Sequence, residues 1–358
     1  MSRRGRQSGA SPTSERSEPV FKNLIVYRIA PGWSATLEQV EEALGKTRFA
    51  PIGATQEKSV GWTAPRGEAH GALIESVGGQ WICKLAVETK SVPASVVNRK
   101  VDERAAQIEQ SSGRKPGKKE RRDLKDEALQ ALLPQAFTKQ SAVLVWIDTA
   151  SRLLVAGTGA QGRADELTTL LVEALPGLSV ALFDTQVAAP AAMADWLVTQ
   201  EPPAGFSIDR ECELKAADES KAVVRYARHS LAIDEVRQHV EQGKMPTKLA
   251  LVWDDRVSFL LTEGMQLKKL TFLETVFEDG KSGAGKDEGF DADVAIATGE
   301  LSQLLPDLFA ALGGEVVPGA APSAAATGPA PASAGKAPAA APAAAPSPSA
   351  GDSPLPWE

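Results

Sequence analysis

Lys118-Lys-Glu-Arg-Arg-Asp-Leu124-Lys-Asp-Glu-Ala128-Leu-Gln-Ala-Leu-Leu133-Pro134-Gln-Ala-Phe137-Thr-Lys139-Gln-Ser-Ala142-Val-Leu-Val-Trp146-Ile-Asp148 changes its hydrophobic period half way along. In the first half Leu124, Ala128 and Ala131 fall on one face of a helix, while Lys118, Arg122 and Lys125, at i, i+4 and i+7, fall on another. Pro134 cannot continue that helix, because it lacks the N–H the next turn needs. The run 142–147 that follows is continuous, β-branched and aromatic, and a second apolar run at 152–156 comes after a short turn, which is the pattern of a hairpin. A helix leading straight into antiparallel strands places the chain in the α+β class, with helices and antiparallel hairpins in several subdomains.

Working outward, residues 95–110 read as a second helix, with Val97, Val101, Ala105 and Ile108 as its apolar stripe; Gly113, Pro116 and Gly117 separate it from the first. The basic helical segment therefore spans 95–133. Residues 72–77 and 80–88 read as a hairpin turning at Gly78-Gly79, residues 21–29 as a strand, and 36–44 as a helix capped by Ser34. Downstream, Thr247-Lys248-Leu-Ala-Leu-Val-Trp253 repeats the theme of Thr138-Lys139 and Trp146, with a helix before it at 233–242, Pro246 between, and another helix at 300–312. Two helix–hairpin–helix units, near 118–175 and 232–312, are expected from this similarity. The globular region is set at 20–315. Residues 1–19 are expected to be a disordered, Arg-bearing arm without the apolar stretch of a signal peptide. Residues 316–358 are Ala- and Pro-rich, with ten of the chain's 24 prolines after Val317, and are expected to be disordered. The tip of that tail, with Trp357 among prolines and acids, reads as a docking peptide for another protein.

Charge is unevenly spread. Residues 99–125 hold ten Lys or Arg against five acids, a local +5 in a chain of net charge −7, which leaves −12 for the remainder. Such segregation concentrates positive potential on one part of an acidic body. A patch of this density releases several counterions on meeting DNA, which supplies affinity without base reading. Lys100, Arg104, Arg114, Lys115, Lys118, Lys119, Arg121, Arg122, Lys125 and Lys139 are the candidate DNA-binding residues. No recognition-helix pattern of Asn, Gln and Arg accompanies them, so sequence specificity is not indicated.

Catalytic and metal motifs are missing from the linear sequence. The three histidines have no H-x-x-x-H or H-E-x-x-H spacing, and the two cysteines have no second ligand nearby and read as buried thiols of a reduced, cytoplasmic protein. No metal, no cofactor and no enzymatic activity are expected on this ground, and no apolar run approaches the ~20 residues of a membrane span. One competing signal is Gly157-Thr-Gly159-Ala-Gln-Gly162, a dinucleotide-binding pattern on paper, with Asp184 beyond it; it keeps open a nicotinamide-dependent enzyme. An adaptor acting through the Trp357 tail is the third reading.

Phe21-Lys-Asn-Leu-Ile-Val-Tyr27-Arg28, Gly61-Trp62, Leu124-Lys-Asp-Glu-Ala-Leu129 running to Phe137, Trp146-Ile-Asp148-Thr149, Thr247-Lys248-Leu-Ala-Leu251, Phe290-Asp-Ala-Asp293 and Thr298-Gly-Glu300-Leu together resemble the recombination-associated protein RdgC family. The resemblance implies a homodimer closed into a ring around duplex DNA, with little sequence preference and single strands left open. It also implies association with the nucleoid and restriction of the RecA recombinase's access to DNA. By position, it puts the 118–125 segment on the DNA-facing surface. Phe137, Arg225, Arg228 and His229 would lie near the contacts that close or brace the ring. It covers neither the arm nor the tail.

Overall fold

The computed structural model describes residues 20–278 and 286–316; the expected arm, the tail and its Trp357 tip lie outside them. The first element is β1 (Ile25–Ile29), followed by α1 (Leu37–Gly45). The cap of α1 is Thr36 rather than Ser34: its hydroxyl accepts from the Gln39 N–H, and the Gln39 side chain accepts from the Thr36 N–H at 2.9 Å. The reciprocal box satisfies two otherwise orphaned donors, which a lone Ser34 could not. Strands β2 (Lys58–Thr63), β3 (Ile74–Val77) and β4 (Gln80–Ser91) come next. Gly78 and Gly79, at φ 59° and 84°, turn the β3–β4 hairpin as expected.

Helices α2 (Ala94–Ser112) and α3 (Lys118–Leu132) are inserted between β4 and β5 (Phe137–Asp148). Then come β6 (Leu153–Ala156), α4 (Gln161–Ala174) and β7 (Val180–Leu182). These strands form one antiparallel sheet in the order β2-β4-β5-β6-β1-β7, with β3 also paired to β4. Both faces of the sheet are covered. Cys83, Leu85, Val143 and Val145 pack beneath α1 and α4, while Ile82, Trp146 and Val155 face the opposite core. Burial on both faces explains why 142–147 reads as an unbroken apolar run rather than an alternating one.

The second half contains α5 (Ala189–Thr199), β8 (Phe206–Ala216), β9 (Val223–Ala227), α6 (Asp234–Glu241), β10 (Lys244–Trp253), β11 (Val257–Thr262), β12 (Leu267–Phe272), α7 (Glu274–Glu278) and α8 (Lys286–Ala311). Its sheet runs β12-β11-β10-β8-β9. Pro246 lies inside β10, beside a register shift, rather than between α6 and the strand. A strand proline is tolerated where the ladder is interrupted. The two Trp-bearing hairpins are both present, β5 with β6 and β10 with β11, but the partners beyond them differ. β6 pairs next with β1, whereas β11 pairs with β12.

The segment before β1 joins the two sheets. The Leu24 and Leu267 backbones exchange hydrogen bonds at 2.8 and 3.1 Å, and the Leu270 N–H donates to the Lys22 carbonyl at 2.9 Å. The expected strand at 21–29 is thus two paired stretches, one in each sheet. Between the sheets lies the largest core, closed by α5 and by the Val294, Ala297, Leu301, Leu304, Leu305 and Leu308 stripe of α8.

Candidate nucleic-acid interface

The two inserted helices form an arm with a core of its own. Val97 and Val101 of α2 meet Leu124 and Ala128 of α3, all buried, with Val92, Ile108, Leu129 and Leu132 packed around them. Ala131, expected on this face, is exposed, and Leu132 takes the position instead. Gly113, at φ 70°, ends α2 in the left-handed conformation that glycine adopts without strain. At the start of α3 the Glu120 carboxylate accepts from Arg114 at 2.8 Å, and that contact holds its carboxyl below the usual range. The link between the helices is thereby tied to the first turn of α3.

All nine candidate cations of this arm, from Lys100 to Lys125, are exposed, but they are not equivalent. Arg114 is held by Glu120, Lys115 lies 3.8 Å from Glu109, and Arg121 pairs with Asp102 at 2.5 Å. Arg104 donates to the neutral Gln107. Lys100, Lys118, Lys119, Arg122 and Lys125 have no acid partner among the described residues. With Arg104, whose Gln107 partner is neutral, six formally free charges lie on one hairpin, which is what an anion-binding surface requires. Charge counting in the sequence could not separate them from the paired ones. Lys139 is on β5, beside Thr89 of β4, at the root of the arm rather than on it.

Phe137 begins β5 and is 90% exposed, directly after a turn whose Leu133 is buried. An aromatic ring left this open marks a contact surface more often than a core residue. Arg225, Arg228 and His229 are far along the chain, on and just beyond β9, and all three are exposed. β9 pairs only with β8, so its outer edge is free among the described residues. Arg225 donates to Glu213 at 2.5 Å, and Arg228 sits at φ 56°, where the chain leaves the strand.

The dinucleotide pattern does not have the frame its chemistry needs. β6, which precedes it, is antiparallel to both β5 and β1, so no βαβ unit is formed. Gly157 is required for a different reason: a Cβ there would stand 2.8 Å from the Leu144 carbonyl oxygen and 3.2 Å from the Phe21 ring. Both cysteines are buried free thiols, and burial pushes Cys212 up to about 12 and Cys83 higher still. Among the described residues no group of three or more His, Cys, Asp or Glu is placed to hold a metal ion, and no helix is long and apolar enough to cross a membrane.

The model of a protein family described as "Putative exonuclease, RdgC" matches residues 20–315. Curated relatives include "Recombination-associated protein RdgC" of Dechloromonas aromatica, 45% identical over 301 residues, and that of a Janthinobacterium strain, 40% identical over 297 residues; each match covers 83% of this chain and 98% of the relative. The protein of the same name from Bordetella pertussis is 39% identical over 296 residues, covering 82% and 98%. The family description corrects the expectation of a protein without enzymatic activity, because it names a nuclease. That expectation rested on missing linear motifs, and acid–base groups drawn from distant strands leave no such motif. With most of its length matched by the family and by relatives of this identity, the chain belongs to the RdgC family.

Proposed function

We propose that the protein acts on DNA in recombination, gripping phosphates with the α2–α3 arm and reading no base sequence. The observation that carries this is the set of six cations without acid partners on the arm, whose 99–125 stretch is +5 in a chain that is otherwise −12. DNA engagement is also what the two printed descriptions, a recombination-associated protein and an exonuclease, have in common. Globular residues 20–315 are the working unit. Two copies enclose duplex DNA, meeting at Phe137 near the root of the arm and along β9 with Arg225, Arg228 and His229. The exposed ring and the open strand edge support those two contact regions, since a free edge pairs readily with another strand. DNA enclosed in this way, at the nucleoid, is less accessible to RecA.

Solution mass with a small-angle scattering envelope tests the assembly. A dimer with a central hole is expected, and a monomer at micromolar concentration contradicts it. Phe137→Ala is expected to leave the melting temperature unchanged, because the ring contributes little to the fold, while shifting the mass toward monomer or an opened dimer.

A further inference from the structure

Three of the arm's free cations, Lys118, Arg122 and Lys125, converge at one place. A cleft of about 460 Å³ lies between the helices, with Asn98, Val101 and Asp102 on the α2 side. Lys118, Arg121, Arg122 and Lys125 line the α3 side. These are positions i, i+3, i+4 of one helix and i, i+3, i+4, i+7 of the other, so each set forms a stripe along one face. Asp102 is the one acid lining the cleft, and Arg121 occupies it at 2.5 Å. Lys118, Arg122 and Lys125 therefore face the cleft with no acid among the described residues to neutralise them. Lys118 and Arg122 are also like charges at i, i+4, an arrangement that weakens a bare helix and that an anion would relieve. Asn98 adds a neutral amide with no hydrogen-bond partner among the described residues.

We propose that this cleft is a discrete seat for one phosphodiester of a nucleic-acid strand. Lys118, Arg122 and Lys125 hold the phosphate oxygens, and Asn98 donates to the phosphate or the adjoining sugar. The cleft is large enough for the phosphate together with its sugar. The Asp102–Arg121 pair lines the same cleft and lowers its affinity, by placing a carboxylate next to the incoming anion and keeping Arg121 engaged. This rests on the DNA-binding reading above and adds to it that the grip is focused rather than spread over the arm.

The test is fluorescence anisotropy with a short duplex over a range of KCl concentrations. Arg122→Ala and Lys125→Ala are compared with Lys100→Ala and Lys119→Ala, which remove equally free cations outside the cleft. The cleft variants are expected to lose about fivefold or more each, and the outside variants about twofold or less, with every salt slope falling by about 1 per contact removed. Asn98→Ala is expected to weaken binding about two- to threefold at every salt concentration with the slope unchanged, because no charge is lost. Asp102→Asn is expected to tighten binding several-fold, a gain that no folding defect produces. Equal losses inside and outside the cleft, with no effect of Asn98→Ala or Asp102→Asn, would overturn the seat while leaving diffuse DNA binding intact. A wild-type protein that binds no duplex at low salt would overturn the DNA-binding reading itself. A 5′-phosphate that raises affinity about tenfold only when Arg122 and Lys125 are present would assign the seat to a strand end and overturn the internal phosphodiester. Inorganic phosphate that displaces duplex no better than chloride of equal ionic strength is the result expected of a seat that also needs the sugar; stronger displacement would overturn that part.

Discussion

Glu213, on β8, receives Lys248 at 3.0 Å, Thr247 at 2.9 Å and Arg225 at 2.5 Å. Burial pushes its carboxyl up, but these hydrogen bonds and the Lys248 charge more than offset that and bring it down to about 2. A carboxylate held this low stabilises the fold fully above the ordinary Glu range and loses that contribution as pH falls from about 4.5 toward 2. The displacement is worth about 3 kcal/mol at neutral pH. Glu213→Gln is therefore expected to lower neutral stability by about 2–3 kcal/mol and to flatten the acid limb of a urea-denaturation series. An unchanged acid limb would contradict the assignment. Gly61 is a second constrained residue: a Cβ there would stand 2.5 Å from the Phe49 backbone, where the Phe49 N–H donates to the Trp62 carbonyl at 2.8 Å. Gly61→Ala is expected to cost about 1–3 kcal/mol in thermal or chemical denaturation, because backbone rather than a movable side chain must shift. Thr247, Lys248 and Gly61 all lay within the stretches on which the family resemblance rested. What the sequence concealed was their partners, since Glu213 and Phe49 are brought to them only by strand pairing.

The α2–α3 arm shows at the level of elements what periodicity can reveal. Its two helices and the Gly/Pro link are legible because the arm has only one apolar face per helix, and the packing within it is local. Ala131 was misplaced by one position, which on a helix is a rotation of about 100°. α8 was legible only in its second half, since Gly289 and Gly299 argue against extending the helix toward its start, and Pro306 lies within even the half that was read. Yet its Val294–Leu308 stripe packs against the core, and tertiary burial outweighs those propensities. β9 was not legible as a strand at all. It is short, its residues alternate between exposed and half-buried, and only pairing with β8 defines it. Because the arm's core is separate from the two larger ones, its stability is largely its own. Leu124→Ala is expected to cost the arm about 2–4 kcal/mol and to speed amide exchange across 94–132. Exchange in β4 and β5 should stay at the wild-type rate. Faster exchange throughout the sheet would show that the arm and body unfold together.

At the scale of the whole molecule, the proposed function has the acidic body repel DNA and the basic arm attract it, so that binding would depend on how the charge is distributed rather than on its sum. The sequence revealed the segregation but not which cations are free, because Arg114, Lys115 and Arg121 find their acids only once the hairpin is folded. The measurement that bears most directly on this account is the salt dependence of duplex binding by the wild-type protein and by a variant with Lys118, Lys119, Arg122 and Lys125 all changed to Ala. Two unrelated duplexes should bind the wild-type protein alike, with log affinity falling steeply against log salt. The variant should bind both more weakly, with a slope shallower by about 3–4 for each arm engaged. A wild-type slope near zero, or a variant slope unchanged from it, would contradict the account.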